Sequence, residues 1–302
     1  MSMAFPTSGA LRVFAPAKVN LFLHVTGRLA NGYHTLDSLV AFSRDIGDVV
    51  SITPAERFRF SVDGPFAPLF SDEDRDGGLS SSNLCVRAAL ALADATDLAP
   101  DVHIHLTKNL PQAAGLGGGS ADAAAVVRGL LSLWGVPERF EGLANLLKDL
   151  GADVPACYFG EPVQLQGIGD VLTPAPALPK MPVVLVNPLI PCPTPQVFST
   201  WHATQPTPSM PQTLPAMLAD RDEFIAYLLA QRNDLTGAAR QVVPSISEVL
   251  NALLAQPGCL LARLSGSGAS CFGLFEQRDQ AISAAESLQA LKPEWWSASG
   301  TF

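Results

Sequence analysis

Seventeen residues near the middle of the chain, Pro111 to Val127 (PQAAGLGGGSADAAAVV), constrain its fold more than any other stretch. Glycines at 115, 117, 118 and 119 run directly into a helix signal. Ser120 reads as the N-cap, Asp122 suits the positive end of the helix dipole, and an alanine run follows. Val126, Val127, Leu130, Leu131 and Trp134 then recur at helical spacing, and Gly135 with Pro137 closes the segment.

Glycines in this position have a chemical use. Without Cβ atoms the backbone can turn its amide N–H groups inward and let a bulky anion approach. A helix start adds unpaired N–H groups and roughly half a positive charge, which together make a phosphate site. The residue order excludes the two commonest nucleotide loops. There is no G-x-x-x-x-G-K-[ST], and Gly115-x-Gly117 is not completed by a glycine at 120. The bland alternative is a flexible turn, but three consecutive glycines are costly in entropy.

A chain of 302 residues suggests two domains, and 48% hydrophobic against 16% charged residues describes a compact globular protein. The net charge of −9 argues against nucleic acid or an anionic membrane as partner. An anionic ligand must therefore be met locally, by backbone amides and a few placed lysines. Five widely spaced cysteines without a C-x-x-C pair fit reduced thiols. The N-terminus lacks a signal-peptide pattern and no stretch approaches a spanning helix, so a cytoplasmic protein is expected.

Residues 12–26 read as a strand carrying Lys18 and Asn20 on one face, and Asn31-Gly32 as a hairpin turn before Tyr33-His34. On local pattern alone these four are ordinary surface and packing residues. The Asp72–Gly78 stretch reads as a charged loop without EF-hand spacing, and Ser80–Asn83 as the cap of a helix to about Ala95. Val102–Thr107 alternates as a strand; His103 and His105 share its outward face but have no third metal ligand nearby in sequence. Lys108 precedes the glycine turn and is a candidate nucleotide contact.

Further helices are expected at 138–150, 221–231, 245–255 and 280–291, and strands at Val183–Asn187, Leu260–Leu264 and Cys271–Phe275. Asp153, two residues before Pro155, has the pattern of an ordinary helix start. Twelve of the 25 prolines fall between 174 and 215, which places a domain boundary near 165–180 and makes 204–215 an extended surface loop. Ser265–Ser270 is a second glycine-rich loop, able as a turn or as a cover for phosphate. Strands and helices mixed in this way point to an α+β fold.

Three segments occur in order: Ala15-Pro-Ala-Lys-Val-Asn-Leu, Gly115-Leu-Gly-Gly-Gly-Ser-Ala-Asp-Ala-Ala and Leu264-Ser-Gly-Ser-Gly-Ala. The trio resembles the three motifs of the galactokinase, homoserine kinase, mevalonate kinase and phosphomevalonate kinase (GHMP) superfamily. Gly32-Tyr-His, Leu150-Gly-Ala-Asp-Val-Pro, Pro193-Thr-Pro and Arg232-Asn-Asp are similar to its diphosphocytidyl branch. The superfamily commonly has two serines where Gly118 and Gly119 stand, and their replacement by glycine is typical of that branch. The proline-rich 204–215 stretch matches nothing in the pattern.

The resemblance implies a two-domain α+β GHMP kinase fold. Residues 1–170 would form an ATP-binding domain like ribosomal protein S5 domain 2, and 171–302 a ferredoxin-like domain completing the substrate site. It implies ATP as co-substrate with Mg2+, and phosphorylation of the C2 hydroxyl of a cytidine-diphosphate-linked methylerythritol. Asp153 matches the carboxylate that takes the hydroxyl proton and Lys18 the lysine beside it. Asn83, Lys108, Pro111, Gly115, Leu116, Gly117, Gly118, Gly119, Ser120 and Ala121 match the ATP side. Asn20, Tyr33, His34, Phe198, Gly266, Ser267 and Gly268 match the substrate side, with aromatics flanking the cytosine. No protein-held metal site is implied, and the expected state is monomer or homodimer. Another small-alcohol kinase of the superfamily, or a non-catalytic ligand sensor on this fold, are the alternatives.

Overall fold

The structure, a computed structural model, describes residues 10–76, 81–218 and 220–302. Its strands are β1 (Leu11–Asn20), β2 (His24–Arg28), β3 (His34–Pro54), β4 (Arg59–Asp63), β5 (Val102–Thr107), β6 (Val163–Gly167), β7 (Val171–Pro174), β8 (Pro182–Asn187), β9 (Cys259–Leu264), β10 (Cys271–Phe275) and β11 (Trp296–Thr301). Its helices are α1 (Asp72–Asp76), α2 (Leu84–Thr96), α3 (Gly118–Trp134), α4 (Leu143–Leu150), α5 (Val154–Phe159), α6 (Thr194–Ala203), α7 (Arg221–Leu229), α8 (Thr236–Val242), α9 (Ser245–Leu254) and α10 (Arg278–Leu291). The expected α+β class is what the chain adopts.

The chain divides into two compact units, neither continuous in sequence. The first comprises the described residues up to Pro16, Gly47–Gln112 and Gly118–Phe159; the second comprises Ala17–Ile46, Ala113–Gly117 and Gly160–Phe302. Strand β3 serves both, and so does the glycine turn, whose residues 113–117 belong to the second unit while α3 belongs to the first.

In the first unit, β4 pairs in parallel with β5, and β5 pairs antiparallel with the Val49–Pro54 half of β3. The alternation of β5 puts Val102, Ile104 and Leu106 inside. In the same unit α2 buries Val86, Ala88, Ala89 and Leu92, and α3, whose Gly129 lies against Ile52 of β3, buries Val126, Val127, Leu130 and Leu131. Alanines and valines on α3 give a slim helix that can lie close to its neighbours. The long Arg128 side chain donates to the Cys157 and Tyr158 carbonyls at the end of α5, satisfying acceptors the helix cannot pair itself.

In the second unit, an antiparallel sheet runs β11-β8-β10-β9. Helices α9 and α10 bury Ile246, Val249, Leu250, Leu253, Ala281, Ala284 and Leu288 in the same core as Val184, Val186, Leu264 and Phe275. Separately, β2 and β6 flank the first half of β3, antiparallel, with β7 beyond β6. Four cysteines are buried, Cys259 is partly buried, and all five are free thiols.

Several expectations change. Helix α3 starts at Gly118, so Ser120 lies in its first turn instead of capping it. The strand expected over 12–26 breaks at 21–23, where the Leu23 N–H leaves the ladder and donates to the Arg232 carbonyl. The helix expected over 138–150 begins only at Leu143, because Gly142 takes a left-handed φ of 97° at its start. Asp72–Asp76 forms one helical turn where a loop was expected. Asn83 does cap α2, its side chain accepting from the Cys85 N–H; Gly77, Gly78 and Ser80 lie outside the described residues.

Candidate active site

In the second unit, three segments distant in sequence meet. The Lys18 N–H donates to the Leu116 carbonyl at 2.8 Å. The Asn20 N–H donates to Ser265 Oγ at 3.2 Å, and that hydroxyl donates to the Gly115 carbonyl at 2.9 Å. The Ser270 N–H donates to the Ala114 carbonyl at 3.1 Å. Gly115, at φ +75°, presses its Cα face against the second glycine-rich loop: a Cβ there would lie 2.6 Å from the Ser265 carbonyl oxygen. No L side chain fits, which is the physical reason for glycine at 115.

The same cluster aims a lysine. Lys18 is 6% exposed and its Nζ donates to Asn20 Oδ1 at 3.2 Å. Asn20 Nδ2 donates to Ser38 Oγ at 2.8 Å, and Ser38 donates onward to the Phe22 carbonyl. Each group in this chain has one direction open to it, so the Asn20 amide orientation is fixed. Gly266 and Ser267 are held as well: Asn233 Nδ2 donates to the Gly266 carbonyl at 2.8 Å, and Ser267 Oγ sits 2.7 Å from Thr194 Oγ1. The Gly268 N–H closes the turn onto the Ser265 carbonyl.

A second feature of this unit is aromatic. His34 stacks on Phe198 with centroids 4.9 Å apart and planes 20° apart, and meets Trp201 edge-on. His34 Nε2 is buried and has no hydrogen-bond partner among the described residues. Burial holds the His34 imidazole below its ordinary pKa, with Arg28 and His202 adding to the effect. Tyr33, on the turn before it, is 63% exposed.

The first unit holds the rest of the expected residues. Asn83 Nδ2 is buried without a partner among the described residues. Asp153 stands at the start of α5, its carbonyl accepting from the Cys157 N–H at 3.0 Å. Lys18 thus belongs to the second unit and Asp153 to the first. Lys108 is 2% exposed and its ammonium lies between two carboxylates, 2.6 Å from Asp48 Oδ2 and 2.6 Å from Asp122 Oδ2. The two carboxylates hold Lys108 above the usual lysine range against the opposing effect of burial. Burial, and then Asp48 beside it, pushes the Asp122 carboxyl up, with Lys108 opposing.

His103 and His105 are joined by a serine. Ser61 Oγ lies 2.7 Å from His103 Nε2 and 2.8 Å from His105 Nδ1, and His105 Nε2 lies 3.2 Å from Asp63. Among the described residues no group of three His, Cys, Asp or Glu side chains could hold a metal ion.

This geometry can be set beside known proteins. Residues 83–161 match the GHMP kinases N terminal domain and residues 214–294 the GHMP kinases C terminal domain. A 4-diphosphocytidyl-2-C-methyl-D-erythritol kinase of Paramagnetospirillum magneticum is 48% identical over 286 residues, 93% of this chain and 95% of that protein. One from Rhodospirillum rubrum is 46% identical over 296 residues, covering 98% of this chain and 94% of the relative. The chain belongs to the GHMP kinases. A crystal structure of 4-(cytidine 5'-diphospho)-2C-methyl-D-erythritol kinase superposes with a TM-score of 0.78 at 33% identity, covering 96% of this chain and 98% of that one.

As a GHMP kinase the protein is an ATP-dependent phosphotransferase, and no helix among its described residues is long and apolar enough to cross a membrane. The N-terminal family match spans α2 to α5, the helices that carry Asn83, the start of α3 and Asp153. Sequence reasoning missed Ser38, and it quoted Thr194 and Asn233 within Pro193-Thr-Pro and Arg232-Asn-Asp without giving either a role, because their partners are distant in sequence. It also missed Asp48. A carboxylate between Ile46-Gly47 and Val49-Val50 is a charge inside an apolar strand, and that signal was available.

Proposed function

We propose that this GHMP kinase transfers the γ-phosphoryl group of ATP to the C2 hydroxyl of 4-diphosphocytidyl-2-C-methyl-D-erythritol, a step of non-mevalonate isoprenoid synthesis. The observation that carries the reading is the convergence of Lys18 and Asn20 with Gly115, Leu116 and the Ser265–Ser270 loop. Those segments are the three motifs in which the resemblance lay, and hydrogen bonds join them.

Phosphoryl transfer needs little covalent help from a protein; positioning and charge stabilisation do most of the work. In this reading Asp153 accepts the proton of the substrate hydroxyl as the oxygen bonds to phosphorus and ADP leaves. Lys18, oriented through Asn20 and Ser38, supplies positive charge beside the transferring group. Backbone N–H groups of Gly117 to Ala121 receive the phosphates, with Pro111, Gly115 and Leu116 shaping the approach. Asn83 Nδ2, without a partner among the described residues, is a donor suited to the adenosine side.

Tyr33 and Phe198 flank the cytosine, and His34 Nε2, without a partner among the described residues, offers that base a hydrogen bond. Gly266, Ser267 and Gly268 close over the diphosphate end. Mg2+, when bound with ATP, neutralises phosphate charge; the donor set here leaves it to phosphate oxygens and water.

The test is a substrate panel read by phosphorus NMR and ATP consumption. The cytidylated methylerythritol should be converted and the uncytidylated alcohol, mevalonate and homoserine should not. Turnover of a simple alcohol in place of the cytidylated one would overturn the substrate assignment. Tyr33→Ala should raise the KM for the cytidylated substrate at least tenfold more than that for ATP; equal effects would remove the stacking role.

A further inference from the structure

We propose that Asp48, Lys108 and Asp122 form a staple that sets the position of the phosphate-binding helix start, with Lys108 a positioning residue instead of a nucleotide contact. The proposal rests on the kinase reading and adds to it what holds the anion site in shape.

All three groups lie in the first unit and are almost completely buried, at 0%, 2% and 2% exposure. Asp48 projects from β3 and fixes the chain entering the glycine turn. Its Oδ1 accepts from the Asn109 N–H at 2.6 Å and the Leu110 N–H at 2.8 Å, and its Oδ2 from Lys108 Nζ at 2.6 Å. The Lys108 ammonium then reaches across to Asp122, on the far side of the turn in α3, at 2.6 Å. Segment 108–110 and helix α3 are therefore tied to each other through one cation and one strand carboxylate.

Two further observations favour positioning over ligand contact. The Lys108 backbone is committed as well, its N–H donating to the Asp63 carbonyl and its own carbonyl accepting from the Phe66 N–H. Two of the three ammonium N–H groups are committed to buried carboxylates, and the side chain is only 2% exposed. The ammonium also sits directly under the helix start: a Cβ at Gly118 would lie 3.1 Å from Lys108 Nζ, whereas among the described residues one at Gly119 would meet Leu84 Cδ1 at 3.5 Å. A side chain at 118 would press on the staple's ammonium by a few tenths of an ångström, whereas position 119 has room. Burial raises the Asp122 carboxyl and its Oδ1 has no partner among the described residues, so this is the arm of the staple most easily altered.

The experiment compares wild type, Asp122→Asn and Lys108→Met, measuring affinity for ATP and for GTP calorimetrically well below each melting temperature, with KM values for both substrates. Asp122→Asn keeps the size and an acceptor but loses the ion pair with Lys108; about tenfold weaker ATP binding is expected. GTP binding should weaken by the same factor, and the KM for the alcohol substrate should stay put. Lys108→Met should weaken both nucleotides further without changing the ATP-to-GTP ratio. A changed ratio in Lys108→Met would mean that the lysine touches the base, and overturns the proposal. So does an Asp122→Asn protein that melts earlier yet binds ATP as tightly as wild type, the mark of a merely structural role. If Lys108→Met does not fold, Asp122→Asn alone decides. Wild-type protein that binds no ATP would overturn the kinase reading first and the staple with it.

Discussion

Strand β3 carries two fully buried carboxylates, Asp37 in its first half and Asp48 in its second, and the two are satisfied by opposite means. Asp48 faces an ammonium and two backbone N–H groups. Asp37 is met by neutral amides: Gln164 Nε2 at 2.7 Å, Gln166 Nε2 at 3.4 Å and the Gln212 backbone N–H. The first arrangement ties segments near the glycine turn; the second ties down the proline-rich stretch, whose Ser209 also donates to the Val25 carbonyl and to Asp234. An ion-paired carboxylate is costly to disturb from either side, because the surviving charge stays buried. An amide-solvated one loses hydrogen bonds only.

The contrast can be broken at its strongest point. Lys108→Met leaves two buried carboxylates without their cation and should cost about 3–5 kcal/mol, read as a lower urea midpoint. A loss under about 1 kcal/mol would show that the ion pair does not carry the first unit. Next, Asp37→Asn should cost about 1–3 kcal/mol, because an amide cannot accept from all three donors. Hydrogen exchange should then rise within 204–215 while ATP affinity is unchanged. If exchange stays slow there, Asp37 is not what holds that stretch.

The helix after the glycine run, the Asn31-Gly32 hairpin and the alternation of β5 were legible in the sequence because each is a local pattern with a local cause. Helix α6 was not, since Pro193 and Pro195 read as loop composition although proline is well tolerated at a helix start. Nor was β11, where Trp-Ser-Ala-Ser-Gly-Thr has no apolar alternation and its pairing with β8 comes from the backbone. The same division runs through the site. Lys18, Asn20 and the two glycine loops carry motif signals. The staple and the Asp37 clamp do not, because Lys108 and Asp48 are 60 positions apart and Asp37 and Gln212 are 175 apart.

Two smaller effects sharpen the comparison further. His24, 4% exposed in the second unit, packs at a tilt against Phe22 and has no hydrogen-bond partner at either ring nitrogen among the described residues. Burial lowers its pKa; Asp234 and Asp37 oppose this, while Arg232 and Arg263 add to it. The folded state therefore prefers the neutral ring. The stability this contributes is present above the ordinary histidine value of about 6.5 and is lost as pH falls through the lowered one. His24→Phe should flatten the decline of the urea midpoint between pH 7.5 and 5; an unchanged slope would assign the acid sensitivity elsewhere. Smallest in stability is Gly119→Ala, where space exists and helix propensity should gain up to about 1 kcal/mol. The same change should weaken ATP binding, because the added methyl stands where phosphate is read to approach. Improved stability with unchanged ATP affinity would move the anion away from residue 119.

The assignment of acid–base chemistry is tested most directly by Asp153→Asn, with phosphoryl transfer to the cytidylated methylerythritol followed in single turnover and ATP affinity measured on the same sample. Removal of a general base predicts a fall in the transfer rate of about 10²–10⁴-fold with ATP binding intact. Transfer at the wild-type rate would contradict the account.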